Sequence, residues 1–130
     1  MNSVLIIDDE KEICESIKMI LEYEGYLVNS FTSAIQGLRF FEENKIACLL
    51  LDIQMPEMSG YSTVETIRKL DAPCAKMPLI ALSSIMEMGA EKCEEAGFDG
   101  FLTKPFRREK LYEMMERLLR QAEVPSACLS

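Results

Sequence analysis

The sequence predicts an α/β fold in which five parallel strands form one doubly wound sheet with helices on both faces. Two observations support this prediction. Five short apolar runs, none with polar alternation, are separated by segments whose apolar residues recur with the period of a helix. Continuous apolar runs of this kind suit strands that are buried on both faces of a parallel sheet. Their alternation with helices predicts right-handed crossovers within a single domain.

The five predicted strands are short and almost entirely apolar, and they cover 4–7, 26–28, 47–51, 78–82 and 100–102. In a parallel sheet built from such units, the carboxyl ends of the strands meet at one edge. Functional sites of doubly wound folds lie beyond that edge.

The first helix is predicted between Asp9, a candidate N-cap, and Gly25, which suits a helix stop. The other helices follow from apolar residues at helical spacing. The apolar residues that predict each of the five helices are, in chain order, Ile13, Ile17, Ile20 and Leu21; Ala34, Leu38 and Phe41; Val64, Ile67 and Leu70; Ala90, Cys93 and Ala96; and Leu111, Met115, Leu118, Leu119 and Ala122.

The domain is predicted to cover residues 1–122, and residues 123–130 are interpreted as a flexible tail or the start of a linker. The 130 residues are enough to bury a core without metal or disulfide bonds. The N-terminus lacks the cationic segment of a signal peptide, and no apolar run approaches the length of a membrane helix. We therefore expect a cytoplasmic protein that does not bind a membrane.

Composition narrows the possible chemistry. The formal net charge of −8 argues against direct binding of nucleic acid or anionic membranes, because both require basic surfaces. The chain contains no histidine, which excludes histidine-based triads, Cys₂His₂ zinc sites and a role as a phosphohistidine carrier. Five cysteines without a C-x-x-C pair are interpreted as free thiols that act as small hydrophobic residues.

Polar residues follow four of the predicted strands. They are the acidic run 8–10, Asp52, the serine pair 83–84, and Lys104 followed by Pro105. Each alone also fits a structural role, such as a helix cap, a turn or a solvated loop. Together, carboxylates from adjacent strands would repel unless a hard cation offset their charge, and Mg²⁺ prefers such oxygen ligands.

This arrangement indicates phosphoryl transfer. A carboxylate close to Mg²⁺, a lysine and a hydroxyl can accept a phosphoryl group, because the positive charges neutralise the phosphoryl oxygens. No general base is needed, because an aspartate is already an anion at pH 7.

The sequence resembles the receiver domains of two-component response regulators from about Ser3 to Ala122. Five separated motifs carry the resemblance, namely V-L-I-I-D-D-E at 4–10, L-L-L-D-I-Q-M-P-E-M-S-G at 49–60, I-A-L-S-S at 80–84, A-G-F-D-G-F at 96–101 and L-T-K-P-F at 102–106. The resemblance implies a flavodoxin-like (βα)₅ fold with strand order 2-1-3-4-5.

The resemblance also implies a phosphoacceptor and a metal site. Asp52 matches the phosphoacceptor, while Asp8 and Asp9 match the acidic pair that holds Mg²⁺ together with Asp52. The backbone carbonyl of Gln54 matches a further ligand, and Mn²⁺ or Ca²⁺ could substitute for Mg²⁺. Lys104 matches the lysine that contacts the phosphoryl group.

Further roles are implied by the same motifs. Ser83 matches the switch hydroxyl, and Ser84 contributes a backbone contact to the phosphoryl group. Phe101 matches the switch aromatic, where tyrosine is common. The peptide bond between Lys104 and Pro105 is expected to be cis. Gln54 and Ile85 occupy positions that modulate the rate of dephosphorylation.

The implied function is that of a phosphoacceptor rather than an enzyme. A sensor histidine kinase or a histidine phosphotransfer protein would supply the phosphoryl group. The face formed by the predicted fourth helix, fifth strand and fifth helix would then change its binding of an unidentified effector, or form a homodimer.

Three alternatives of other classes fit the motifs poorly. An Asp-nucleophile phosphatase needs D-x-D, whereas Gln54 follows here. A flavin carrier needs a phosphate loop where the acidic run stands, and no P-loop motif occurs. One alternative within the family stays open, that the chain is a receiver module of a longer regulator or hybrid kinase.

Overall fold

The computed structural model of the chain describes residues 3–53, 63, 66–67, 77–83 and 97–122. Within them, five strands form one parallel sheet in the order β2-β1-β3-β4-β5. The strands are β1 (Ser3–Ile7), β2 (Leu27–Phe31), β3 (Cys48–Asp52), β4 (Leu79–Ser83) and β5 (Gly100–Thr103). The predicted fold class and strand order are confirmed.

The helices α1 (Lys11–Tyr23) and α2 (Ala34–Glu43) follow β1 and β2, and the C-terminal helix covers Arg108–Ala122. The third and fourth predicted helices lie outside the described residues, apart from Thr63, Thr66 and Ile67, which are helical. None of the helices that the structure describes is long and apolar enough to cross a membrane.

Two apolar layers cover the two faces of the sheet. On one face, Val4 and Ile6 of β1 pack with α1 and the C-terminal helix. On the other face, Leu5 and Ile7 pack with α2 and with Ile67. The side chains of one strand alternate between the layers, which explains why the runs are apolar without alternation. Helices on both faces were predicted, and they are present.

The start of α1 corrects one prediction. Asp9 is not the N-cap, because the helix begins at Lys11 and Glu10 occupies the cap position without a side-chain cap hydrogen bond. The Asp8 carboxylate instead accepts a hydrogen bond from the Glu10 N–H at 2.9 Å, so a different acid tightens this turn. The stop at Gly25 is confirmed, since its φ of 95° lies in the left-handed region that favours glycine.

Strand β2 extends beyond its apolar run, from Leu27 to Phe31, and so includes Asn29 and Ser30. It is an edge strand, so its polar residues are only partly buried and the parallel ladder tolerates them. Cys14 and Cys48 are buried free thiols, as predicted for the cysteines.

Candidate functional site

The candidate site lies at the carboxyl edge of the sheet, where four strands end in polar residues. Asp8 follows β1, Asp52 ends β3, Ser83 ends β4, and Lys104 follows β5. Three of these side chains are buried although they are polar, with Asp8 0%, Asp52 2% and Ser83 0% exposed. Asp9 is exposed beside them. The parallel topology therefore brings together residues that are far apart in the sequence.

Lys104 joins the acidic residues of the edge. Its Nζ lies 2.8 Å from Asp8 Oδ2, 3.3 Å from Glu10 Oε1 and 3.6 Å from Asp52 Oδ2, and its side chain is 7% exposed. Burial alone would lower the pKa of Lys104. The hydrogen bond to Asp8 and the negative charges of Asp8, Asp52 and Glu10 outweigh burial and raise this pKa. The lysine is therefore a fixed positive charge between two buried carboxylates.

The two oxygens of Asp8 differ in their surroundings. Oδ1 accepts the Glu10 N–H, whereas the buried Oδ2 is paired with the Lys104 ammonium at 2.8 Å. A buried carboxylate oxygen is costly unless a cation or a hydrogen-bond donor faces it. Asp8, Asp9 and Glu10 can each direct one carboxylate oxygen to a common place, with these atoms within 4.8 Å of one another. Oxygen donors of this kind fit a hard divalent cation.

Glu10 is a site residue to which the sequence assigned no role. It follows the acidic pair, which is the one local signal that could have identified it. Its contact with Lys104 joins residues 94 positions apart, and neither periodicity nor spacing predicts such a contact. Glu10 also accepts, through its backbone carbonyl, hydrogen bonds from the N–H groups of Ile13 and Cys14 at the start of α1.

Cys14 supports the same turn from the core side. Its thiol donates to the backbone carbonyl of Asp8 at 3.2 Å. Burial, reinforced by the charge of Asp8, raises the pKa of Cys14 to about 11. The side chain is therefore a protonated thiol at neutral pH, able to donate this hydrogen bond and poorly suited to be a nucleophile.

The two switch candidates, Ser83 and Phe101, lie on β4 and β5. Ser83 pairs with Thr103 across the ladder, and its carbonyl accepts the Lys104 N–H at 2.7 Å. Phe101 is partly buried and packs against the layer that contains α2. The peptide bond between Lys104 and Pro105 is cis.

Three residues singled out from the sequence, Gln54, Ser84 and Ile85, lie outside the described residues. The ligand role of the Gln54 carbonyl, the backbone contact of Ser84 and the rate-modulating positions 54 and 85 therefore stay predictions.

Comparison with known proteins identifies the family of this chain. Residues 4–116 match the family model of the response regulator receiver domain. A transcriptional regulatory protein of Bacillus subtilis, YkoG, is 32% identical over 118 residues, which cover 91% of this chain and 51% of the relative. SrrA of Staphylococcus aureus is 30% identical over 94% of this chain and 49% of its own length. The chain thus spans about half the length of these curated relatives.

Solved structures show the same similarity. A CheY-like receiver domain protein from Methanospirillum hungatei superposes with a TM-score of 0.85 at 32% identity, covering 95% of this chain and 97% of that one. The receiver domain of a sensor histidine kinase from Pseudomonas aeruginosa has a TM-score of 0.81 at 28% identity, covering 91% and 97%. That structure has a magnesium ion coordinated in its active-site cleft.

Proposed function

The chain belongs to the response regulator receiver domain family, and on that premise we propose that it is the phosphoacceptor of a two-component phosphorelay. In this proposal Asp52 takes a phosphoryl group from a sensor histidine kinase or a histidine phosphotransfer protein. One observation carries the proposal. The Lys104 ammonium lies between two buried carboxylates from different strands, 2.8 Å from Asp8 and 3.6 Å from Asp52.

The transfer would exchange one bond to phosphorus for another. An oxygen of Asp52 forms a bond to phosphorus while the bond between phosphorus and the donor imidazole nitrogen breaks, and the electron pair of the broken bond stays on that nitrogen. Lys104 stands where its ammonium offsets negative charge on the phosphoryl oxygens. The sequence contains no histidine, so the donor imidazole would come from a partner. In this role the chain assists its own phosphorylation and dephosphorylation, and it is not a classical enzyme.

The acidic turn supports a role in binding a divalent cation, with Mg²⁺ the proposed ion and Mn²⁺ or Ca²⁺ as possible substitutes. Asp8, Asp9 and Asp52 would hold it, together with the backbone carbonyl of Gln54. The convergence of carboxylate oxygens in the acidic turn, which lie within 4.8 Å of one another, is the observation that favours this fit. When bound, the ion would supply positive charge against the transferring phosphoryl oxygens.

The output of the proposed reaction is a change in the population of two conformations. Phosphoryl oxygens at Asp52 would attract the Ser83 hydroxyl and the Ser84 backbone. Phe101, partly buried one strand away, would then change its position. The face formed by the predicted fourth helix, β5 and the C-terminal helix would bind an effector differently, or pair with a second copy. Phosphorylation shifts this equilibrium only by contacts that differ between the two states.

The proposal also concerns the kind of protein to which this receiver domain would belong. The relatives about twice as long as this chain include transcriptional regulatory proteins, and one structural neighbour is the receiver domain of a sensor histidine kinase. Either setting would make residues 1–122 the receiver module and residues 123–130 a tail or the start of a linker. The proposed location is the cytoplasm, and no direct contact with nucleic acid or membrane is proposed for this domain.

Labelling with a small phosphodonor tests the phosphoacceptor. The protein is incubated with Mg²⁺ and acetyl phosphate, and intact-mass spectrometry is expected to show the addition of one phosphoryl group. Asp52→Asn should abolish the addition. Glu12→Gln is the matched control, because it removes an exposed carboxylate in the first turn of α1 and should label like the wild type. Stoichiometric labelling of Asp52→Asn would refute the assignment.

A further inference from the structure

Lys104 and a divalent cation would compete for the same oxygen of Asp8. Because Oδ1 already accepts the Glu10 N–H, Oδ2 is the oxygen left to face a cation. The Lys104 ammonium lies 2.8 Å from this oxygen and the lysine side chain is 7% exposed, so the ammonium occupies the place beside this oxygen. Two cations at such short range repel each other, and the repulsion is weakly screened where water is excluded.

Glu10 offers the ammonium a second anchor. Its Oε1 is 3.3 Å from Lys104 Nζ, and its side chain is 56% exposed. A half-exposed carboxylate can follow the ammonium by small side-chain rotations at little cost, whereas Asp8 and Asp52 are buried and cannot. The backbone of Glu10 is fixed independently, since its N–H is held by Asp8 and its carbonyl caps α1.

We propose that Glu10 is a positioning residue that retains the Lys104 ammonium when a divalent cation takes Asp8. The proposal rests on the receiver function inferred above and adds to it a specific task for the third acid of the turn. By pairing with the displaced ammonium, the Glu10 carboxylate offsets the charge that would otherwise repel the cation, and it keeps the ammonium within reach of Asp52. In this role Glu10 acts through Lys104. Its carboxylate can also reach the place shared with Asp8 and Asp9, so the experiment must separate this role from direct ligation.

A double-mutant cycle on metal binding separates these two roles. Mg²⁺ alone is titrated by calorimetry into the 130-residue protein and into Glu10→Gln, which keeps the side-chain size and the backbone contacts. We expect Glu10→Gln to weaken Mg²⁺ binding about fivefold. Glu12→Gln, which removes the same charge two residues away on an exposed site, should change it less than twofold.

The second half of the cycle uses Lys104→Met. In that background no ammonium needs an anchor, so adding Glu10→Gln should leave Mg²⁺ affinity within about twofold. A loss of the same fivefold size there would make Glu10 a direct ligand and overturn the proposal. Equal Mg²⁺ affinity of wild type and Glu10→Gln would overturn it as well.

A spectroscopic measurement gives a readout that a merely structural role would not move. Nitrogen-15 spectra that detect lysine ammonium groups should show the Lys104 signal shifted but retained on Mg²⁺ addition in the wild type, and lost to exchange with water in Glu10→Gln. Identical behaviour of the two signals would contradict the proposal. If the wild type bound no Mg²⁺ at all, the metal site of the proposed function would fail together with this role, which distinguishes that outcome from failure of Glu10 alone.

Discussion

The interior of the sheet and its carboxyl edge both contain buried side chains, but those side chains have opposite chemistry. In the middle of β3, Leu49, Leu50 and Leu51 are at most 1% exposed and pack into the two apolar layers. One residue further, Asp52 is 2% exposed and faces an ammonium. The same strand thus passes from side chains whose burial stabilises the fold to one whose burial opposes it.

The energetic difference between the two regions indicates what each is kept for. Burying apolar surface stabilises by about 25 cal/mol per Å². Burying an ion costs several kcal/mol before pairing, and the pairing seldom returns more than it costs. We therefore expect the buried charges of the edge to weaken the fold, in keeping with the role in binding and chemistry proposed for them. Substitutions made in one region at a time test this interpretation.

The largest effect is expected in the interior. Leu50→Ala removes a fully buried side chain between β3 and the C-terminal helix layer, and we expect it to lower the free energy of unfolding by about 3 kcal/mol. Chemical denaturation measures this value. Leu27→Ala is the control, because Leu27 is 52% exposed and should cost less than about 0.5 kcal/mol. Similar losses in the two variants would remove the distinction between interior and surface.

The interior is also the region that the sequence predicted well. Unbroken apolar runs identified all five strands, and helical spacing identified α1, α2 and the C-terminal helix, because burial on both faces leaves a direct pattern in the residues. The exception is instructive. Strand β2 runs on through Asn29 and Ser30, because an edge strand hydrogen-bonds through its backbone whatever its side chains are.

Which residues lie at the carboxyl edge could be predicted from the sequence, but the contacts between their side chains could not. The rule that parallel strands share one functional edge grouped Asp8, Asp52 and Lys104. The contact of Glu10 with Lys104 and the thiol hydrogen bond of Cys14 depend on side-chain directions that no spacing rule contains. The prediction that Asp9 is the N-cap of α1 was wrong for a related reason, because the Asp8 carboxylate orders this turn instead.

A smaller effect is expected when the charges of the edge are unbalanced. Lys104→Met leaves the buried carboxylates of Asp8 and Asp52 without the ammonium that lies close to both. In Mg²⁺-free buffer it should lower the free energy of unfolding by about 2 kcal/mol. The double variant Lys104→Met/Asp8→Asn removes one of the two charges and should recover most of that loss. If the double variant were less stable than Lys104→Met alone, the buried charges of the edge would stabilise the fold.

The smallest effect concerns Cys14, which belongs to both regions. Its side chain packs in the apolar layer, while its thiol donates to the Asp8 carbonyl. Burial raises the pKa of Cys14 from 9.0 to about 11. A thiol with a raised pKa in the folded state contributes stability that is complete below pH 9, where the unfolded thiol is also protonated. The contribution is lost as pH rises towards 11, because only the unfolded chain readily forms the thiolate.

Cys14→Ala should therefore show a shallower fall in stability over this interval. We expect the free energy of unfolding of the wild type to approach that of Cys14→Ala by roughly 1 to 2 kcal/mol between pH 9 and 11. Denaturation curves at a series of pH values measure it, and the two profiles should run parallel between pH 6 and 8, which serves as the internal control. Other alkaline titrations, such as those of Lys104 and Tyr26, are common to both proteins and cancel in the difference. Parallel profiles up to pH 11 would mean that water reaches the thiol, so that the apolar layer does not extend to the turn that holds Asp8.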